Sequence, residues 1–478
     1  MSTNADDDLV FDEFRFASLG DARRVARLRK VADSVARFPS GSLPEQAGDD
    51  GQLEGTYRLL SNPHVSPEAV FASHVACTAQ RAAGREVVLV IHDTTQFEFG
   101  GTSPRAGLGK LLHYGNQQGF LAHQSICLGL DGEPLGSLAL YAWSRAERRP
   151  GRRLQEIAQS DPDREFLRWS EAVETTTAVL GGSTRAIHVM DRESDSMEFL
   201  AQMVENDQCF VVRQAHDRRL DPNPHKPGVA RLYPTVAAAP ILLERDVPLS
   251  RRGGGRPQRT TRTFPVRDSR IARLQVRAAR LTISPGTHAP VHLPTLLTLN
   301  FVEVREVDPP EGEEPVLWRL ATTEPIDSPE AVAAVVDMYR KRWVIEENFK
   351  ALKTGCNFEK LQLESGHALL VALAIYVAVA WRLLRLRWLN RQRPDADAAV
   401  VLTTTQLDVL RAVRAAKNKP LPPVPTVADV LTAIAALGGH IKNNGPPGWR
   451  VIGRGFDQLL ILELGWRAAT ADGRSDQS

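Results

Sequence analysis

The sequence predicts a mixed α/β protein in which helical regions precede and follow a central sheet. Three observations support this fold class. The first seventy residues have the pattern of basic amphipathic helices. From Arg85 onwards, runs of Val, Leu and Ile typical of buried strands come first and are then followed by helix-strand units. After Thr354 the pattern is again mostly helical. At 478 residues the chain has room for two or three domains.

The composition is that of an ordinary globular protein, with 42% hydrophobic and 24% charged residues. The net charge is only +2, which excludes a polycation. Ten of the 59 basic residues are Lys, which leaves 49 Arg. Arg grips phosphate groups with a planar fork, so this bias suits phosphate contacts, although the base composition of the gene explains it equally well.

The chain shows no pattern that directs it to a membrane or an oxidising compartment. Its four cysteines lack C-x-x-C spacing, and its N-terminus lacks a signal-peptide pattern. The most apolar run, Ala368–Trp381, has 14 residues, fewer than the ~20 of a membrane helix. We therefore expect a cytoplasmic protein in which this run is a buried helix.

The first helix is predicted to begin after Asp21, a suitable N-cap. Its apolar residues recur at helical spacing, and basic residues surround them. A loop is expected over Pro39–Gly51, and a second helix from Gln52 to just before Asn62. Such a basic helical unit is typical of DNA binding, although a solvated surface helix has the same pattern.

Two predicted strands each carry an aspartate after their apolar residues. Asp93 follows the run VVLVIH, and Asp191 follows the strand AIHVM. A charged helical stretch over about Arg164–Leu180 separates them. Acids at the ends of buried strands lie where open α/β sheets place ligands, but the spacing alone does not make these strands neighbours.

Residues from about 215 to 320 predict a β-rich insertion. Within it, a glycine-rich loop carries Arg251, Arg252, Arg256, Arg259 and Arg262. Such a loop suits close approach to a phosphate backbone, and a flexible solvated hairpin tip is the alternative.

A helix from Ser328 to Gly355 is predicted by its N-cap, its proline and its terminal glycine. Tyr339, Arg342, Glu346 and Lys353 fall within roughly 60° of one another around it, with Lys350 on the same stripe. Val336, Trp343 and Leu352 are assigned to the opposite, core-facing side. A carboxylate among cations suits phosphodiester cleavage by two divalent metals, although i,i+4 ion pairs on an exposed helix are an alternative.

The spacing Tyr339-x-x-Arg342-x-x-x-Glu346-x-x-x-x-x-x-Lys353 matches the Y-R-E-K signature of the bacterial insertion-sequence DDE transposases. HDTTQ around Asp93 and MDRESD around Asp191 resemble the aspartate motifs of that family. The segments SLGDARRVARL, EGTYRLLSNPHVSPEAV and LWRLATTEPIDS resemble further parts of it, closest to its Tn-five branch. The resemblance covers nearly the whole chain.

The resemblance implies a ribonuclease-H-like catalytic domain over residues 71–365 with a β-rich insertion at about 215–320. It also implies a helical DNA-binding domain over residues 1–70 and a helical dimerisation domain over residues 366–478. Asp93, Asp191 and Glu346 would be the catalytic carboxylates and would bind two Mg²⁺ ions, for which Mn²⁺ can substitute.

The implied activity is cut-and-paste transposition. The protein would bind terminal inverted repeats, nick the transposon end, excise the element through a DNA hairpin and join the 3′-OH ends to target DNA. Tyr339, Arg342 and Lys353 would hold the strand, and Trp318 would hold a flipped base, unless it is a core residue. Further DNA contacts would come from Arg213, Arg23, Arg24, Arg27 and Arg37, the last together with Phe38.

The partners implied are double-stranded DNA and a second copy of the chain, in a homodimeric synaptic complex of the bacterial cytoplasm and nucleoid. The C-terminal helices at about 440–472 would form the dimer contact. Three other functions share some of these features. They are a DNA-binding inhibitor that no longer cleaves, a nuclease that cuts without joining strands, and a metal-dependent hydrolase of small phosphoesters. The intact carboxylate triad, the Y-R-E-K helix and the basic N-terminal helix argue against them in that order.

Overall fold

The computed structural model describes most of the chain between residues 12 and 475. The described ranges are 12–101, 103–111, 118–144, 165–182, 184–221, 228–249, 267–285, 293–441 and 447–475. The arginine-rich loop predicted at residues 251–262 lies outside them.

Four helices make up the N-terminal region: α1 (Ala22–Arg37), α2 (Leu43–Ala47), α3 (Asp50–Leu60) and α4 (Pro67–Ala82). Asp21 caps α1 as predicted, and its carboxylate accepts a hydrogen bond from the backbone N–H of Arg23 at 2.8 Å. The prediction of an uninterrupted loop from Pro39 to Gly51 is wrong, because α2 lies within it. This short helix forms because Ser42 and Glu45 cap it reciprocally.

One sheet spans the centre of the described chain. Its strands are β1 (Val87–Phe99), β2 (Gly109–Lys110), β3 (Gln118–Gly129), β4 (Pro134–Trp143), β5 (Arg185–Met190), β6 (Cys209–Arg213), β7 (Ile241–Leu249), β8 (Arg270–Ile283), β9 (Leu297–Val307) and β10 (Leu317–Thr322). The order is β2-β3-β1-β5-β6-β10-β9-β8-β7, and β4 also pairs with β3.

The first half of the sheet mixes strand directions. Strands β4, β3 and β1 are antiparallel, whereas β5 and β6 run parallel to β1. Buried Val, Leu and Ile fill β1 and β5 on both faces, as expected for strands covered by helices on each side. This arrangement is consistent with the ribonuclease-H-like core that the resemblance implies.

The β-rich segment predicted between about residues 215 and 320 extends this same sheet. Strands β7 to β10 form antiparallel pairs, and β10 joins them to β6 through the pairing of Leu320 with Arg213. Sequence patterning identified the strands but not this continuity, because the pairing residues are more than one hundred positions apart.

The remaining helices cover the sheet and form the C-terminal region. They are α5 (Glu165–Leu180), α6 (Met197–Glu205), α7 (Leu232–Ala237), α8 (Pro329–Arg340), α9 (Trp343–Lys350), α10 (Gly366–Gln392), α11 (Thr404–Ala416), α12 (Val427–Leu437) and α13 (Trp449–Ser475). Helix α5 packs across β4, β3, β1 and β5, and α8 contacts β5, β6, β7 and β9.

Helix α10 is the central core helix. By length and composition its 27 residues could cross a membrane, but 83% of its most apolar window is buried in the fold. The prediction of a buried helix is therefore confirmed. Helices α1, α3, α4 and α12 contact α10, so the N-terminal and C-terminal regions share one apolar cluster. The domain boundaries at residues 70 and 365 remain predictions.

Candidate active site

Asp93 on β1 and Asp191, which directly follows the adjacent parallel strand β5, lie level with each other. The last residue pair between β1 and β5 is Ile91 with Val189. Asp93 lies two positions further along β1, and Asp191 lies two positions beyond Val189, just after β5 ends, with an extended backbone. Side chains two positions apart share a face of the sheet, so both carboxylates lie on the same face. The sequence placed Asp93 at the end of a strand, whereas β1 continues to Phe99 because β3 still pairs with it. Asp93 lies where β1 loses its β5 neighbour.

Glu346 comes to this place from helix α9, and Arg342 joins it to Asp93. One terminal nitrogen of Arg342 lies 2.7 Å from Oδ2 of Asp93. The other lies 3.4 Å from Oε1 of Glu346. The side chain of Arg342 is mostly buried, with 14% of its surface exposed. Two of the three carboxylates, those of Asp93 and Glu346, thus contact one cation, and the charge of Asp191 also acts on it.

The environment of Asp93 disfavours its charged form. Burial raises its pKa, Arg342 opposes this, and the negative charges of Asp191 and Glu346 raise it further, so that the pKa reaches about 7. The backbone N–H of Thr94 donates to Oδ1 at 2.8 Å and lowers the pKa slightly. A carboxylate under this repulsion favours a nearby cation.

The donor set fits a hard divalent metal, because carboxylate oxygens are the ligands that Mg²⁺ prefers. Within the described ranges, no group of three Asp, Glu, His or Cys side chains is arranged to hold an ion as it stands. The reason is visible in the contacts: Asp93 and Glu346 face Arg342, and Oδ1 of Asp191 accepts the backbone N–H of Glu193 at 2.8 Å.

The predicted helix from Ser328 to Gly355 is divided into three parts. Ser328 caps α8 as predicted, through the backbone N–H of Ala331 at 3.1 Å. The chain then tightens at Arg342, whose N–H bonds to Tyr339 three residues back, and α9 follows. A wide π-type turn over Ala351–Gly355 completes the segment. Tight and wide turns change the angular positions that a regular helix gives.

The predicted core position of Trp343 is wrong. Its side chain is 56% exposed, and the ammonium group of Lys350 lies 5.0 Å from its ring centroid. The two residues share a face because seven residues are almost two turns of helix. Val336 and Leu352 are buried as predicted.

Tyr339, Trp318 and Arg213 form a second group near the carboxylates. Tyr339 is buried, and its ring meets the edge of Trp318 at 5.5 Å. Arg213 donates to the carbonyl oxygen of Leu317 at 3.1 Å and hydrogen-bonds to Tyr339. Burial raises the pKa of Tyr339, and the positive charges of Arg213 and Arg342 lower it in part. The sequence did not indicate that Trp318 and Tyr339 touch.

Lys353 lies beside β1. Its ammonium group donates to the carbonyl oxygen of Gln96 at 2.5 Å. The same nitrogen lies 3.8 Å from Oε1 of Glu359. Asn348, which the sequence pattern did not single out, anchors α9 to β3. Its side-chain amide donates to Gln124 at 2.9 Å inside the core. A buried Asn in an amphipathic helix is the signal that could have identified it.

The predicted DNA contacts of α1 differ in their availability. Arg23 is 92% exposed and pairs with Asp21. Arg24 donates to the carbonyl oxygen of Leu19, and Arg27 donates to Gln52 on α3. Arg37 pairs with Asp33 at 2.6 Å and is mostly buried, as is Asp33. Arg23 is thus presented to solvent, whereas Arg37 belongs to the packing of α1.

Comparison with known proteins identifies two parts of the chain. The "Transposase DNA-binding" family matches residues 6–65. The "Transposase DDE domain" family matches residues 168–383, which include Asp191 and Glu346 and begin after Asp93. DDE transposase domains use divalent metal ions, generally Mg²⁺.

Among solved structures, the chain is similar to one described as the cryo-EM structure of a piggyBac transposase synaptic complex with hairpin DNA. The sequence identity is 10% and the TM-score is 0.34. The match covers 77% of this chain and 66% of that chain.

Proposed function

We propose that this protein, a metal-dependent DDE transposase, excises its element from DNA and inserts it elsewhere by a cut-and-paste route. It binds the terminal inverted repeats, nicks each transposon end, and excises the element through a DNA hairpin. The freed 3′-OH ends are then joined to target DNA.

One observation carries this proposal. Asp93 on β1 and Asp191 directly after β5 lie level with each other, and Arg342 contacts both Asp93 and Glu346. Asp93 and Glu346 are 253 positions apart in the sequence, so the fold, and not local sequence, brings these residues together. Asp191 and Glu346 also lie within residues 168–383, which match the DDE domain family.

We assign the three carboxylates to metal binding. Two Mg²⁺ ions held there would activate the attacking oxygen and stabilise the leaving oxygen of a phosphodiester. The protein groups supply position and charge. Arg342 exchanges its pairing with Asp93 and Glu346 for a phosphate group of the strand, and Tyr339 and Lys353 hold the same strand from either side.

Trp318 and Arg213 are assigned to the hairpin step. An indole ring that is half-buried against Tyr339 is fixed in position and keeps part of its surface for stacking on an unpaired base. Arg213, bound to the same strand backbone, supplies a positive charge beside it.

The protein acts as a homodimer that bridges two DNA ends in this proposal. Helix α13 supports it, because Ile461, Leu462, Leu464 and Trp466 are large apolar residues that are at least 38% exposed. The surface that binds the terminal repeats is assigned to helix α1. Its basic residues either contact the DNA or hold the helix in place: Arg23, Arg24, Arg27 and Arg37.

A cleavage assay tests the function and Glu346 together. DNA that carries the terminal repeats of the element is incubated with Mg²⁺ and wild-type protein, Glu346→Gln or Glu330→Gln. The last is a matched control, since Glu330 is an exposed acid in the first turn of α8. We expect nicks and hairpins from the wild type and the control, and a loss of at least 100-fold in Glu346→Gln with DNA binding retained.

Other outcomes are equally informative. Binding without cleavage by all three proteins would support a regulatory DNA-binding protein in place of a transposase. Wild-type rates in Glu346→Gln would remove this residue from the metal site.

A further inference from the structure

A cavity of about 430 Å³ lies beside the ends of β6 and β10. Leu317 and Arg319 line it, whereas Trp318 between them contacts Tyr339. Side chains alternate along a strand, so Leu317 and Arg319 point away from the Trp318–Tyr339 pair, at the edge of the sheet where β6 ends. Of the residues that line it, only Arg213 has a function assigned above.

The groups around this cavity are hydrogen-bond donors and positive charges. Arg192, Arg213 and Arg319 contribute guanidinium groups. Tyr233 adds a phenol ring, with the guanidinium of Arg319 4.0 Å from its centroid. Among the described residues, no acidic side chain lines the cavity. Such a lining suits a ligand that is anionic and rich in acceptors.

Gln214 is an independent sign of a ligand. It lines the cavity and is 5% exposed, and its buried Nε2 has no hydrogen-bond partner in the described structure. The Nε2 of an amide is a donor only, and a buried donor without a partner loses the hydrogen bonds that it makes to water in the unfolded chain. An acceptor in the cavity would make up for this loss.

The amide of Gln214 is held in place by a built network. Its Oε1 accepts from Arg218 at 2.9 Å. Arg218 in turn pairs with buried Asp195 at 2.7 Å, and Asp195 accepts the backbone N–H of His216 at 3.0 Å. Because this network occupies Oε1, the unpaired Nε2 has a fixed direction.

We propose that this cavity binds a phosphate group of a DNA strand. Guanidinium groups match the geometry of phosphate oxygens, and the Gln214 amide supplies a neutral donor. A free phosphate ion shares this chemistry. Position favours DNA, because Arg192 directly follows Asp191 and Arg213 contacts Tyr339, which places the cavity next to the proposed cleavage centre. This inference rests on the proposed function.

The first test measures DNA binding without metal, so that cleavage does not interfere. Labelled terminal-repeat DNA is titrated in EDTA at several salt concentrations with wild type, Gln214→Leu, Arg319→Lys and Arg319→Ala. Arg411→Ala is the control, since Arg411 lies on α11 and already pairs with Asp408.

We expect about a tenfold loss of affinity in Gln214→Leu with an unchanged salt dependence. Arg319→Ala should also reduce the slope of log K against log salt by about one, as for a lost phosphate contact. Arg319→Lys keeps a charge beside buried Glu303, so it should fold normally, keep the slope and still lose affinity. Arg411→Ala should resemble the wild type.

The second arm separates DNA from free phosphate. Thermal unfolding of each protein is followed with and without 10 mM inorganic phosphate. Stabilisation of the wild type that disappears in Gln214→Leu, together with unchanged DNA binding in that variant, would assign the cavity to free phosphate and overturn the proposal.

Unchanged DNA affinity in both Gln214→Leu and Arg319→Lys would overturn the proposal while leaving the transposase function intact. Failure of the wild type to bind the repeat DNA would contradict both.

Discussion

Arg342 is the residue through which two proposed metal ligands meet. It contacts Asp93, 249 positions away, and Glu346, one helical turn away. The sequence predicted Arg342 as a DNA contact from its place in a signature, but its pairing with Asp93 could not be predicted. Spacing along a helix fixes neighbours on that helix only, and the approach of β1 depends on packing across the whole core.

Replacement of Arg342 should destabilise the protein in the absence of metal. Arg342→Ala leaves Asp93, which is 7% exposed, without its positive partner. We expect the free energy of unfolding to fall by about 3 kcal/mol. Mg²⁺ would supply the missing charge, so it should raise the unfolding temperature of this variant more than that of the wild type. Differential scanning calorimetry with and without Mg²⁺ measures both.

Arg340→Ala is the matched control, because Arg340 pairs with Asp337 near solvent. An equal Mg²⁺ effect on the wild type, the control and Arg342→Ala would contradict the idea that Arg342 and metal serve the same carboxylates.

Glu13 links the segment before α1 to α4 through buried charges. It contacts Arg81 at 2.7 Å and His74 at 2.7 Å. Burial alone would raise the pKa of Glu13, but its hydrogen bonds and attraction to His74 and Arg81 outweigh burial and lower it from 4.5 to about 2. A lowered pKa means that folding favours the charged carboxylate.

This link gives a prediction for stability against pH. The stability from Glu13 is fully present above its unfolded pKa of about 4.5 and is lost as pH falls toward about 2. Glu13→Gln should therefore lower the free energy of unfolding by roughly 3 kcal/mol at pH 7. Its difference from the wild type should shrink as pH falls below about 5. Urea unfolding at pH 7, 5 and 4 tests this, and a constant difference would contradict it.

The segment from α8 to Gly355 shows what helical patterning can and cannot provide. The start at Ser328 and the end at Gly355 were predicted, because caps and glycines act locally. The tight turn at Arg342 and the π-type turn at Ala351 were not, because nothing in the sequence distinguishes them from regular turns. Trp343 was assigned to the wrong face, although its spacing of seven from Lys350 already puts the two together.

Helices α12 and α13 cross with their backbones in close contact. A Cβ atom added at Gly455 would lie 2.0 Å from the carbonyl oxygen of Ile434, whereas one added at Gly465 would meet nothing within 4 Å. Both glycines lie in α13. They therefore form a matched pair in which the helix propensity is the same and only the neighbour differs.

Gly455→Ala should lower the free energy of unfolding by about 1–3 kcal/mol, because the helices must separate. Gly465→Ala should raise it by up to about 1 kcal/mol, since Ala is the better helix former. Urea denaturation of the two variants and the wild type measures the difference. The same sign for both would mean that this crossing does not control stability.

At the scale of the whole molecule, the α/β class follows from the sequence but the sheet order does not. Runs such as those of β1 and β5 are recognisable by their Val and Ile content, and the prediction of a buried α10 rested on its apolar length. The placement of β10 between β6 and β9 depends on pairing across long separations, which residue patterns do not encode.

The exposed apolar side chains of α13 provide a test of the proposed homodimer. Leu464 is 52% exposed, so Leu464→Glu should be tolerated by the monomer fold. It should prevent dimer formation on paired DNA ends, because it would bury an unpaired charge at the interface. Light scattering after gel filtration, with the repeat DNA bound, measures the mass of each complex. Dimers of Leu464→Glu at wild-type yield would place the interface elsewhere.

The N-terminal helices pack against α10, which the ribosome makes much later. Gln46 hydrogen-bonds to Tyr376, which is made 330 residues later. At about 5–20 residues per second, this interval is roughly 15–65 s. Throughout it, the apolar sides of α1 and α3 emerge without the surface that eventually covers them. The nascent chain therefore exposes this apolar surface well before the cleavage centre exists.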